Sequence, residues 1–101
     1  MKKSEQNISQ RRRELIDRLS KGDIEIAEAV RELRHLVGKN QSSFAKMVGL
    51  SRVAILNLEN GRANPTAESL NKIFALVGME VGLVTKQEKK VERLAKFLMD
   101  S

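Results

Sequence analysis

The side chains of this sequence that could do chemistry are donors of hydrogen bonds and positive charge, not nucleophiles or metal ligands. Cysteine is absent, which excludes a disulfide framework, a thiolate metal site and a cysteine nucleophile. His35 is the only histidine, so a multi-histidine zinc site is excluded too, and no second ligand is spaced to use it. No glycine-rich phosphate loop occurs, and no paired carboxylates have a supporting constellation. An enzyme is therefore not expected, nor a metal or cofactor. Three Phe without Trp or Tyr leave too few rings for a surface that stacks single-stranded bases. What remains is residues 38–65, where four basic side chains stand against one acidic, Glu59. That block, at +3 within a chain of net charge +6, suits a polyanionic partner.

Helices must position those groups. At 101 residues the chain reads as one domain with short extensions, large enough to fold on one core without staples. Ile8, Leu15, Ile16 and Leu19 lie at helical spacing, with Glu14 and Arg18 as an i, i+4 pair, and Gly22 stops that helix. Asp23 offers the N-cap of a second helix whose buried stripe is Ile26, Val30, Leu33 and Val37, with Gly38 just past its end. A third runs from about Gln41 to Val48 and is ended by Gly49. A fourth runs from a Ser51 cap to about Asn60 and is ended by Gly61. Asn64-Pro65-Thr66 turns and caps a fifth, through Leu70, Ile73, Phe74 and Val77, closed by Gly78. The period then changes to two. Met79, Val81 and Leu83 alternate with Glu80, Gly82 and Val84, which reads as one short strand with no partner in the chain. Residues 86–101 return to helical spacing at Val91, Leu94, Ala95 and Leu98, as a docked helix or a tail.

The organisation expected is thus an N-terminal helical extension over 1–22, a domain over 23–78, a pairing strand over 79–85 and a helix or tail over 86–101. Residues 4–13 are polar where the apolar core of a signal peptide would have to follow Met1-Lys2-Lys3. The longest apolar stretch, residues 73–84, is too short to span a bilayer and carries Glu80. A soluble, bacterial-type cytoplasmic domain with no membrane partner is expected.

The third and fourth helices and the glycine turn between them have the layout of a helix-turn-helix unit. Small Ala45 lets the next helix cross closely, and Gly49 can take the left-handed backbone. Leu50 plugs the core, Ser51 caps, and Ile55 and Leu58 anchor the buried face. In these features residues 24–77 resemble the lambda-repressor/Cro-like, or XRE, family. The matching residues are Arg34, Gly38, Gln41, Phe44, Ala45, Gly49, Leu50, Ser51, Ile55, Leu58, Glu59, Asn60, Gly61 and Pro65. The run Leu58-Glu59-Asn60-Gly61-Arg62 is especially close.

The resemblance implies an all-α domain of five helices, its third helix in the major groove of double-stranded DNA. By it, Arg52 and Val53 face base edges, and Asn57, one turn later, reaches a base or a phosphate. Arg52 has the fork to read guanine O6 and N7, whereas Val53 offers apolar contact, for instance to a thymine methyl. Gln41, Ser51, Asn60, Arg62 and, more weakly, Lys46 would hold the DNA backbone. Arg34 and Glu59 would form a buried ion pair tying the domain's first helix to its third. The Gln pair of the best-known phage members is absent at positions 52 and 53, so their base preference does not transfer. The run Arg11-Arg12-Arg13 reads as a solvated face or as an arm on the DNA backbone.

Two functions fit. One is a homodimeric repressor on a palindromic operator, because a single small unit reads only a few base pairs. The other adds a protein partner: an antitoxin that also represses its own operon. The run from Ala75 into the strand resembles the Hip-type antitoxins, which implies a serine/threonine-kinase-like toxin, with a Hig-type ribonuclease toxin left open. Met79, Val81 and Leu83 would then pair with a second copy. The alternative is a stand-alone phage-type or housekeeping repressor with no toxin.

Overall fold

The computed structural model describes residues 2–82 and 96–99. Within residues 2–82 five α-helices follow one another: α1 (Lys2–Ser20), α2 (Ile26–Leu36), α3 (Gln41–Val48), α4 (Arg52–Glu59) and α5 (Ala67–Phe74). A 3-10 turn, Ala75–Val77, continues α5. The domain expected to hold five helices beyond the N-terminal one therefore holds four and this turn, in an all-α arrangement.

Side-chain caps start the three short helices. Asn40 Oδ1 accepts from the Ser43 amide at 2.8 Å, Ser51 Oγ from Ala54 at 3.0 Å and Thr66 Oγ1 from Ser69 at 3.0 Å. Gly49, at φ 75°, ends α3 in the left-handed region, and the Leu50 amide then reaches back to the Ala45 carbonyl at 2.9 Å. A Cβ built on Gly49 would meet nothing within 4 Å, so the turn asks for glycine's backbone freedom and not for its small size.

The caps and the turn hold α3 and α4 against α2, where the core lies. Phe44, Leu33, Ile55, Ile73 and Val30 are its largest fully buried side chains. Ala29, Ala45, Val48, Leu58, Phe74 and Val77 complete it, with Leu15 of α1 also buried. Ile16, Leu19, Ile26, Val37, Leu50, Leu70 and Met79 pack around it partly buried.

Three local expectations are corrected. Asp23 does not cap α2: the cap position is Glu25, whose side chain makes no cap bond. Asp23 instead closes α1, its amide donating to the Arg18 carbonyl at 2.8 Å and its carbonyl accepting from Arg18 Nη2 at 3.3 Å. Nor does Arg18 pair with Glu14. It reaches Glu28 of α2 at 3.7 Å, and Gln10 donates to Glu14 at 3.1 Å.

The third concerns the strand, which residues 79–82 do not form. The Met79 amide is spent on the Phe74 carbonyl at 2.9 Å and the Val81 amide on Asn71 Oδ1 at 2.6 Å. Two donors a ladder would need are thus held by α5. Leu83 and Val84 lie outside the described residues, as does most of the segment expected to be a helix or tail over 86–101. Of that segment residues 96–99 are helical and exposed. Among the described residues no helix is long and apolar enough to cross a membrane.

Candidate functional site

Glu59, the last residue of α4, is the joint of the site. It is only 3% exposed, and a buried carboxylate is costly unless its lone pairs are filled. Arg34 of α2 fills them as a fork, Nε donating to Oε2 at 2.7 Å and Nη2 to Oε1 at 3.0 Å. Gln41, the first residue of α3, adds Nε2 to Oε1 at 3.3 Å. Arg31 donates from Nη1 to the Glu59 main-chain carbonyl, which places a cation at the C-terminal end of α4. Arg34 Nη1 also donates to the Lys39 carbonyl at 3.1 Å, fixing the turn between α2 and α3. Three elements therefore meet on one residue, and α4 is held in place by its far end.

Charge follows the same geometry. Burial pushes the Glu59 carboxyl up, but hydrogen bonds from Arg34 and Gln41, and the charges of Arg34 and His35, more than offset it. The carboxyl is held below its ordinary value of 4.5. The bond to Glu59 in turn raises Arg34, against the opposing effect of its burial. The only acid of residues 38–65 is thus buried and matched. Lys39, Lys46, Arg52 and Arg62 are all exposed, and none is in an ion pair among the described residues. The surface of this block is uniformly cationic.

The remaining predicted residues take these places. Arg52 and Val53 are the first two residues of α4 and both are exposed, Val53 at 60%. Asn57 is half-buried one turn later. Asn60 is the exposed C-cap of α4, and the Arg62 amide returns to the Asn57 carbonyl at 2.9 Å, so this loop is fastened to the helix. The Ser51 hydroxyl accepts from Ala54, which leaves its own proton to donate outward. Lys46 is exposed in the last turn of α3. Gln41 is half-buried, with one of its two amide hydrogens on Glu59. Met79 lies partly buried on the core and Val81 is exposed; Leu83 is outside the described residues.

Two contributors were missed from sequence. Arg31 stands three residues before Arg34, so both project from one face of α2, and that spacing was a readable signal. Asn40 caps the helix that carries Gln41, and an Asn just before a helical stretch was a signal as well.

Comparison with known proteins gives a consistent picture. Residues 30–84 match the profile of the family described as Helix-turn-helix. The chain is also similar to the ImmF control region 10 kDa protein of Bacillus phage phi105, 31% identical over 61 residues. That match covers 60% of this chain and 64% of the phage protein, so it spans less than two thirds of that relative's length. No solved structure matches.

Proposed function

The chain belongs to the XRE-type helix-turn-helix family, and on that premise we propose that it is a transcriptional regulator that binds double-stranded DNA through α3 and α4, without catalysis of its own. The observation that carries this reading is the one-sided charge of residues 38–65. Every exposed charge there is positive, and the single acid is folded inward to hold α4. Arg52 and Val53, at the exposed start of α4, read base edges; Asn57 reaches a base or a phosphate. Gln41, Ser51, Asn60, Arg62 and Lys46 meet the phosphate backbone. The second amide hydrogen of Gln41 is directed by the first, so its phosphate contact is built on the Glu59 joint. Two copies on a palindromic operator give the specificity that one short helix lacks, and the regulator acts in the cytoplasm as a repressor.

Stand-alone control takes precedence over an antitoxin role. The antitoxin reading rested on a strand over 79–84, and the Met79 and Val81 amides are spent on α5. The phage relative, by its name, belongs to a control region.

The test is selection of bound duplexes from a random pool by the full chain. Enrichment of a palindrome with two half-sites about 34 Å apart is expected. Recovery of the pool unchanged would refute sequence-specific binding. Sedimentation with and without the selected duplex reads the number of copies bound.

A further inference from the structure

Residues 7–14 of α1 are exposed at every position, and among the residues of described burial the helix joins the core through Leu15, Ile16 and Leu19. Isolated helices of this length are marginal in water, so an exposed stretch that is also charged suggests a surface for a partner. Its exposed charges are Arg11, Arg12, Arg13 and Glu14. Arg11 shares a groove with Glu14, Arg18 and Glu32 of α2, so acids already stand near it. Arg12 and Arg13 have no ion pair among the described residues.

The direction of this N-terminal half of α1 follows from an ion pair and a shared groove. Arg18 meets Glu28, and Arg11 lines the groove with Glu32, so α1 and α2 run antiparallel. In that register residue 8 is level with about Leu36, the last residue of α2, and the helix continues past it for about 10 Å at 1.5 Å per residue. The end it passes is the end from which Lys39 and Gln41 project. The free half of α1 therefore runs past the end of α2 that leads into the cationic block of residues 38–65.

We propose that the N-terminal half of α1 is a helical arm that binds the phosphate backbone of duplex DNA beside the segment contacted by α3 and α4, with Arg12 and Arg13 as its main contacts. The proposal rests on the reading of α3 and α4 as a DNA-binding unit. Charge complementarity selects the occupant, and the course of α1 past the α2 end that leads to Lys39 and Gln41 selects the side. A membrane surface is a poorer fit, because an interfacial helix needs several bulky apolar anchors on one face and residues 7–14 offer only Ile8.

The experiment compares the full chain with Arg12→Ala/Arg13→Ala and Arg12→Lys/Arg13→Lys variants on the selected duplex. Affinity is measured from about 0.05 to 0.2 M salt, on the bare site and on the site extended by about six base pairs each side. Two phosphates released per chain make the log–log salt slope of the Ala variant shallower by about 1.8. The parent then loses about 3.5-fold more affinity per chain than the Ala variant between 0.1 and 0.2 M. The extension strengthens the parent and the Lys variant but not the Ala variant. Ala favours helix, so α1 persists, and circular dichroism checks that it does. Equal slopes for parent and Ala variant, with no effect of the flanks, would overturn the arm while leaving α3 and α4 as readers. Loss of affinity in the Ala variant without a change in slope would overturn it as well. So would Arg12- and Arg13-dependent binding to anionic vesicles with an unchanged DNA slope. A parent that selects no duplex removes the underlying reading, and the arm with it.

Discussion

Removing Arg34 tests the joint on which the site is built. Arg34→Ala deletes both bonds of the fork, at 2.7 and 3.0 Å, and leaves a carboxylate that is 3% exposed with only Gln41 at 3.3 Å. Two charge-assisted bonds at about 1.5–3 kcal/mol each bracket the loss, and breaking one side of a buried pair costs about 3–5 kcal/mol. A domain of this size has on the order of 5–15 kcal/mol in total, so urea unfolding should show roughly a fifth or more of it gone. The pH dependence gives a second signature. In the parent the folded carboxyl lies below 4.5, so its contribution is complete above that value and is lost as pH falls through the folded value. In Arg34→Ala the main force lowering it is gone and burial remains, so the folded carboxyl rises above 4.5. The sign of its contribution then reverses, and the variant is relieved by protonation. The gap between parent and variant should therefore narrow as pH is lowered from 7 towards 4. A loss below about 1 kcal/mol that does not change with pH would refute the reasoning. An Arg34→Met/Glu59→Leu double variant, which removes both charges, should recover most of the stability.

Arg52→Ala should weaken binding to the selected duplex by about 1–3 kcal/mol and relax preference at one position per half-site; an unchanged selection would reassign the residue. Arg62→Ala should weaken all sequences alike and flatten the salt slope by about one per site, and a loss confined to one base pair would contradict a backbone role. Gly49→Ala should cost about 1–2 kcal/mol, the price of the left-handed backbone alone, because its Cβ meets nothing within 4 Å; a larger loss by urea unfolding would mean that the turn has no room. Phe44→Ala, at a fully buried position, should cost about 3–5 kcal/mol by urea unfolding, and a loss under about 1 kcal/mol would contradict its place in the core.

The parts of the fold that were legible are those governed by a few adjacent residues. Ser51 and Thr66 name their own helices because the cap oxygen and the amide it receives are three residues apart. Gly49 and Gly61 end theirs because the left-handed backbone has few alternatives. The buried faces followed from spacing, and Val30, Leu33, Ile55, Ile73 and Phe74 are inside. Asp23 shows where local logic runs out. It sits between two helices and could serve either, and the Arg18 side chain reaching its carbonyl draws it to the end of α1. The same Arg18 abandons the intrahelical partner that periodicity offered for one on α2. Local rules rank partners within an element, and tertiary contact decides between elements.

That distinction also explains what happened at the site. The Ser51 cap and the start of α4 were readable from one helix, and Arg52 and Val53 stand exposed at that start, as the resemblance implies. The residues that aim α4 come from α2 and α3, at separations of 28, 25 and 18 residues, where no periodicity in the sequence links them. For Arg31 the three-residue spacing from Arg34 marked the face it shares, but not its partner, because that partner is a main-chain carbonyl. The strand failed by the converse error. Alternation over residues 79–84 is a statement about side chains, whereas a strand is a statement about where the amides go. Asn71 takes the Val81 amide ten residues away in sequence, and nothing in the alternating pattern competes with an oxygen already fixed on α5. The Met79 and Val81 amides, just beyond α5, are within reach of that helix, and a polar side chain on it can settle their fate before a second chain arrives.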